Sequence, residues 1–128
     1  MVIAPVRNGF QCLIRTYLFK YINYYIGKLL LDKDSIDEAK QHFEREISNS
    51  DYFECYFHMA RIAFAKNEFE KSIDYLNHFL TLAPKDPQGN NNLLLLYLQT
   101  HQTAKAKEQT RKMQQLGLPV PPEAAQLQ

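Results

Sequence analysis

Apolar residues between Tyr56 and Leu80 keep helical spacing, but in two separate phases. Tyr56, Met59, Ala60 and Ala63 recur at three- and four-residue steps, which places them on one face of a helix. Lys66-Asn67 breaks the phase, and Phe69, Ile73, Leu76, Phe79 and Leu80 then mark a second helix. Pro84 ends it, because proline disfavours helical backbone at the residue before it, here Ala83. Asn67 suits the turn, since asparagine tolerates left-handed backbone. The preceding stretch repeats this plan: Tyr25, Ile26, Gly27 and Leu30, a break at Asp32-Lys33-Asp34, then Ile36, Ala39, Phe43 and Ile47. Ser35 stands where it can cap that second helix, with Glu38 three residues on to complete a capping box. A further helix is expected over 1–19, where Phe10, Leu13, Ile14, Tyr17 and Leu18 follow an i, i+3, i+4, i+7 rhythm.

Aligned on alanine and aromatic positions, the chain gives three windows, 20–52, 53–86 and 87–119, each splitting into two helical halves, with 120–128 left as a tail. Small residues fall in phase at Gly27 and Ala60 on the first helices, and at Ala39, Ser72 and Ala106 on the second. A pair of helices that cross closely needs small side chains at the crossing. One such pair cannot bury its own apolar face, so several must stack before a core exists. Thr103 to Leu116 is mostly Lys, Gln and Thr, which suits a terminal cap facing water.

These positions resemble the tetratricopeptide repeat family. Its first helix carries a Leu-Gly-like pair and then an aromatic; here the pair is Ile26-Gly27, Met59-Ala60 and Leu93-Leu94, and the aromatic place holds Leu30, Ala63 and Tyr97. Its second helix carries a small residue (Ala39, Ser72, Ala106), an aromatic four residues later (a place that here holds Phe43, Leu76 and Thr110) and a terminal proline, kept as Pro84, replaced by Asp51 in the first window and displaced to Pro119 in the third. The resemblance covers residues 20–119. It implies an all-α fold of roughly six or seven helices, a right-handed superhelical stack of antiparallel pairs, with residues 1–19 as a leading cap.

Composition agrees with helices: four Gly are scattered, and the six Pro lie near the ends or between Ala83 and Gln88. The formal net charge is +1, yet residues 1–31 hold no acid while residues 32–54 hold eight, read as solvated helix faces. Nothing reaches the basic density of a nucleic-acid binder. Cys12 and Cys55 are too few and too far apart for a disulfide framework or a zinc site, and are expected as buried thiols. Arg15, Lys20 and Lys28 interrupt the apolar run from Phe10 to Leu31, which disfavours a spanning helix. The acid-free, Arg-bearing first 20 residues leave mitochondrial import or membrane association as the alternative to a cytoplasmic location.

The resemblance implies that the first helices line a concave, protein-binding face. Projection of their outer side gives Tyr21, Tyr24, Tyr25 and Lys28 from the first window, Glu54, Phe57, His58 and Arg61 from the second, and Asn91, Asn92, Leu95 and Gln99 from the third. Aromatics supply contact area, amides pair with a peptide backbone, and Arg61 and Lys28 can hold a carboxylate. One subset of the family clamps acidic chaperone termini with Lys and Asn; the corresponding places here, Tyr24, Lys28, His58, Gln88 and Asn92, do not keep that set. Cys55 and His58, three apart, make a weak candidate for a thiolate–imidazole pair. No phosphate-cradling glycine loop or metal-ligand spacing is present. The expectation is a non-enzymatic adaptor, assembly factor or secretion-type chaperone with a protein or peptide partner and no cofactor, metal, nucleic acid or small-molecule substrate. Its rival is a structural subunit, or a homodimer, in which the aromatic N-terminal helix is buried against a neighbour.

Overall fold

A computed structural model describes residues 21–127 of the chain. The leading helix expected over 1–19, and Cys12 with it, lie outside these residues. The described residues form six α-helices and a closing 3-10 helix, without strands: α1 (Ile22–Asp32), α2 (Ile36–Ser50), α3 (Phe53–Ala65), α4 (Phe69–Leu82), α5 (Pro87–Gln99), α6 (Thr103–Gln115) and the 3-10 segment Pro122–Leu127. The fold is therefore all-α, built from consecutive helix pairs. Two compact units divide within α3, between Cys55 and Tyr56.

The turn inside each pair recurs atom for atom. Asp34, Asn67 and His101 all adopt left-handed backbone, with φ of 62°, 61° and 59°. The next residue in each case, Ser35, Glu68 or Gln102, donates its N–H five residues back, to Leu30, Ala63 or Tyr97, at 2.8 Å every time. This closure satisfies carbonyls that the end of a helix would leave bare. It also corrects the capping box expected at Ser35: that residue makes no side-chain cap bond. Its backbone angles match those of Glu68 and Gln102, so main-chain closure sets the geometry whichever side chain is present.

In the first unit, α1 and α2 cross where Gly27 meets Phe43. A Cβ on Gly27 would stand 2.7 Å from a ring carbon of Phe43, inside any normal contact. Ala39 and Phe43 are fully buried. So is Glu46, at 0% exposure, which the sequence pattern had assigned to a solvated face. Its carboxylate accepts from the Tyr24 N–H (3.4 Å) and from the Ser50 hydroxyl (2.5 Å). Tyr24 lies in the first turn of α1, where free amides and the helix dipole favour a negative charge.

In the second unit, Ser72 donates its hydroxyl to the Ala60 carbonyl at 2.7 Å, which ties α4 to α3 at their crossing. The Phe57 and Phe79 rings pack 5.3 Å apart beside it. Asp86 caps α5 by accepting from the Gly89 N–H at 2.8 Å, and Pro87 opens the helix. Gly89 has no room for a side chain, because a Cβ would lie 2.7 Å from the Phe79 ring. Leu94, Ala106 and Met113 close the core between α5 and α6. A polar cluster is buried there too. Asn90 donates to the Pro84 and Asp86 carbonyls (3.0 and 2.8 Å), and Gln109 donates to Asn90 Oδ1 (2.8 Å).

Gly117, at φ 73°, ends the excursion after α6 in left-handed geometry. The chain beyond it is not a loose tail. Leu118 and Val120 pack on the core, and Ala124 in the 3-10 helix is 0% exposed.

Candidate protein-binding site

Each unit carries part of the predicted set. In the first, the predicted residues collapse into an aromatic cluster. Tyr21 and Tyr52 rings lie 4.4 Å apart, Tyr24 meets Tyr52 edge-on at 4.9 Å, and Tyr25 meets Tyr24 edge-on at 5.1 Å. Tyr24 donates its hydroxyl to the Glu54 carboxylate and is only 2% exposed. Lys28 Nζ sits 5.4 Å from the Tyr24 ring centre. Tyr24 is thus a core residue rather than a groove residue: placed at the crossing with α2, its ring is worth more buried than wet. Burial and the Glu54 hydrogen bond raise its hydroxyl above the ordinary tyrosine range. Burial, then the Glu54 charge, raises Tyr52 as well.

Cys55 is a free, buried thiol, as expected. Burial, then the Glu46 and Glu54 carboxylates, push it up to about 12. At neutral pH it stays protonated and a poor nucleophile, so it does not supply the thiolate that a pairing with His58 would require. Among the described residues no three of His, Cys, Asp and Glu cluster closely enough to hold a metal ion.

The second unit holds a cleft of about 640 Å³. Its buried base is Ala60 of α3, Ser72 and Leu76 of α4, and Leu96 of α5. Phe64, Leu95 and Leu98 add apolar surface, of which Phe64 and Leu95 stay exposed. Four polar side chains enter the rim: Arg61, Asn92, Gln99 and, from the 3-10 helix, Glu123. None of these four makes a side-chain hydrogen bond or ion pair with another described residue, so their polar atoms are left for solvent or a ligand. The Ser72 hydroxyl has already given its proton to Ala60. Chemically this surface is apolar below and polar at the edge, with the Arg61 guanidinium and the Glu123 carboxylate as its charged groups.

Of the residues projected from sequence, Arg61, Asn92, Leu95 and Gln99 come together in this cleft. Phe57 does not, because its ring turns onto Phe79 in the core. His58 is half-buried with its ring edge toward Phe57, 5.9 Å away, and Asn91 is half-buried outside the cleft lining. Phe64 and Glu123 were missed. Phe64 sits one turn beyond Ala60-Arg61 on the same helix, a spacing legible in the sequence, whereas nothing local reveals that Glu123 folds back.

Short helices paired through small residues, turning each time with the same left-handed geometry, define a helical-repeat protein. Residues 53–86, the middle window, match the family described as tetratricopeptide repeat, so the chain carries a tetratricopeptide repeat there. Over 98 residues the chain is 28% identical to a Drosophila melanogaster protein named BBSome complex member BBS4 homolog, a match covering 68% of this chain and 20% of that one. The chain thus spans about a fifth of the relative's length. No described helix is long and apolar enough to cross a membrane.

Proposed function

We propose that this chain is a protein-binding scaffold whose second unit takes a peptide segment of its partner in the cleft between α3, α4 and α5. One observation carries the reading: four unpaired polar side chains surround an apolar base in a cavity of about 640 Å³. That size falls within the range of about 300–1,000 Å³ usual for ligand pockets. Phe64 rests one side of its ring on Phe69, but leaving the rest of it and Leu95 exposed beside unpaired amides gains little for the isolated fold, and it fits an occupant with an apolar side chain and a polar backbone. The tetratricopeptide repeat at 53–86 favours a protein as that occupant, and a relative named as a member of a complex favours an adaptor within an assembly.

The test is a selection of peptides from a random display library against the purified chain, followed by backbone amide shift mapping. Binders should perturb α3 and α5 of the second unit, and Leu95→Lys should remove them without changing the melt, since Leu95 is exposed. Shifts confined to other helices, or undiminished binding by Leu95→Lys, would overturn the proposal.

A second reading rests on the first unit. Ile22, Tyr25 and Leu29 form an exposed stripe on α1, with Tyr25 57% and Leu29 61% exposed. A permanent neighbour on that stripe would make the chain a structural subunit. Sedimentation of the native chain beside Tyr25→Lys/Leu29→Glu tests this: a shift from dimer to monomer supports it, and a monomer in both cases removes the self-associating form.

A further inference from the structure

We propose that the segment after α6 is a specificity wall of the cleft, and that the peptide this cleft takes is extended, with an apolar anchor flanked by one acidic and one basic residue. The inference rests on the peptide-binding reading above and adds the chemistry of the occupant.

The segment is built to hold its place. The left-handed Gly117 lets Leu118 donate its N–H to the Met113 carbonyl at 2.8 Å, which turns the chain back at the end of α6. Pro119, Pro121 and Pro122 then restrict the backbone that follows. Ala124 is wholly buried in the core of the unit. Glu123 is therefore anchored by its neighbour and carried into the cleft lining.

Charge follows from that placement. Arg61 reaches the same cleft from α3, and the two opposite charges pair neither with each other nor with another described side chain. Left apart, they complement a ligand that brings one charge of each sign. A ligand with two like charges meets one attraction and one repulsion.

Backbone spacing supplies the second constraint. Asn92 and Gln99 lie seven positions apart on α5, about 10.5 Å along its axis. Three residues of extended chain span about 10 Å. A peptide running along α5 can thus meet an amide at each end with its middle side chain over Leu95 and Phe64, and the side chains two positions to either side, which point the same way, are left for Arg61 and Glu123.

The experiment is parallel selection from one random dodecapeptide display library on the wild-type chain, Glu123→Lys and Arg61→Glu, each first checked for an unchanged melt. Wild-type binders should carry one acid and one base about an apolar residue, with about fivefold weaker binding when either charge is neutralised. Glu123→Lys should trade the base for a second acid, and Arg61→Glu should trade the acid for a second base. Should Glu123→Lys fold poorly, Glu123→Gln serves, with enrichment of the base lost and nothing gained. Binders that Leu95→Lys abolishes but whose charge pattern is the same on all three chains would sink the specificity wall and leave the groove standing. Absence of binders, or binders indifferent to Leu95→Lys, would take down the groove and this inference with it.

Discussion

Replacing Gly27 with alanine sets two known effects against each other. In a helix interior the change alone gains about 0.5–1 kcal/mol, because alanine has less backbone freedom to lose. Here the added Cβ would meet three ring carbons of Phe43 at 2.7, 2.9 and 3.0 Å. Carbon pairs rest at about 3.5–4.0 Å, so the ring or the helix has to move by about half an ångström or more. Phe43 is wholly buried and has no open side to move into. Overpacking of this kind costs about 1–3 kcal/mol, and the sum is a net loss of up to about 2.5 kcal/mol.

Urea unfolding followed by far-ultraviolet circular dichroism measures that loss, with hydrogen exchange of α1 and α2 amides to assign it to the first unit. A double-mutant cycle makes the reasoning specific. Phe43→Leu alone opens space and destabilises, whereas in Gly27→Ala/Phe43→Leu the new methyl enters the vacated volume. The pair should therefore fall short of additivity by about 1 kcal/mol or more. Stabilisation by Gly27→Ala, or additivity within about 0.5 kcal/mol, would refute the close crossing.

The polar cluster of the third pair gives a second prediction: Gln109→Leu strips Asn90 Oδ1 of its donor and should cost about 1–3 kcal/mol, with Asn90→Leu recovering part of the loss in a chemical melt. His101→Gly should raise stability by up to about 1 kcal/mol, and more than Asn67→Gly, because histidine tolerates φ near 60° less readily than asparagine does. The fourth concerns pH. A thiol held up to about 12 in the native state and near 8.5 when unfolded keeps its proton longer when folded. The unfolded chain binds fewer protons through that window, so the Cys55 contribution is intact below about pH 8.5 and falls as pH rises toward 12. Cys55→Ser should flatten that alkaline slope, and alkylation of native Cys55 should stay slow at pH 8 and accelerate through pH 10; a plateau near pH 9 would contradict the burial argument.

The architecture was legible because it is written in spacing. The two phases around Lys66-Asn67, the small residues at Gly27, Ala60, Ala39, Ser72 and Ala106, and the stop at Pro84 depend only on which face of a helix each residue occupies, and the helices fall where the phases placed them. What failed depends on facts that spacing does not carry. Ser35 and Glu38 have the letters of a capping box, yet the turn closes through main-chain atoms. Glu46 has the letter of a solvated acid, yet the first turn of α1 offers it an amide. Projection of a helix wheel puts Tyr24 and Phe57 beside Lys28 and Arg61, but large rings one turn before the crossing residues Gly27 and Ala60 lean inward, where their area is covered. The return of residues 118–124 onto the core is a tertiary event, and a short, proline-rich stretch without helical spacing gives no local sign of it.

The run Asn90-Asn91-Asn92 shows how the same side chain acquires a structural or a binding role. Asn90 falls on the inner face of α5, and every polar atom it owns is matched: two carbonyls take its amide protons and Gln109 supplies a proton to its oxygen. An amide so matched can hold the fold and offer nothing outward. Asn92 is rotated two positions, about 200° around the helix, into the cleft lining, and none of its side-chain atoms is paired with another described residue. Selection for stability alone has little use for an amide there, since an apolar residue would cover Leu95 and Leu96 better, and the same holds for Gln99 two turns on. In the third pair, then, buried and matched polarity belongs to the architecture, while polarity left unmatched above an apolar base is what the proposed peptide's backbone would complete.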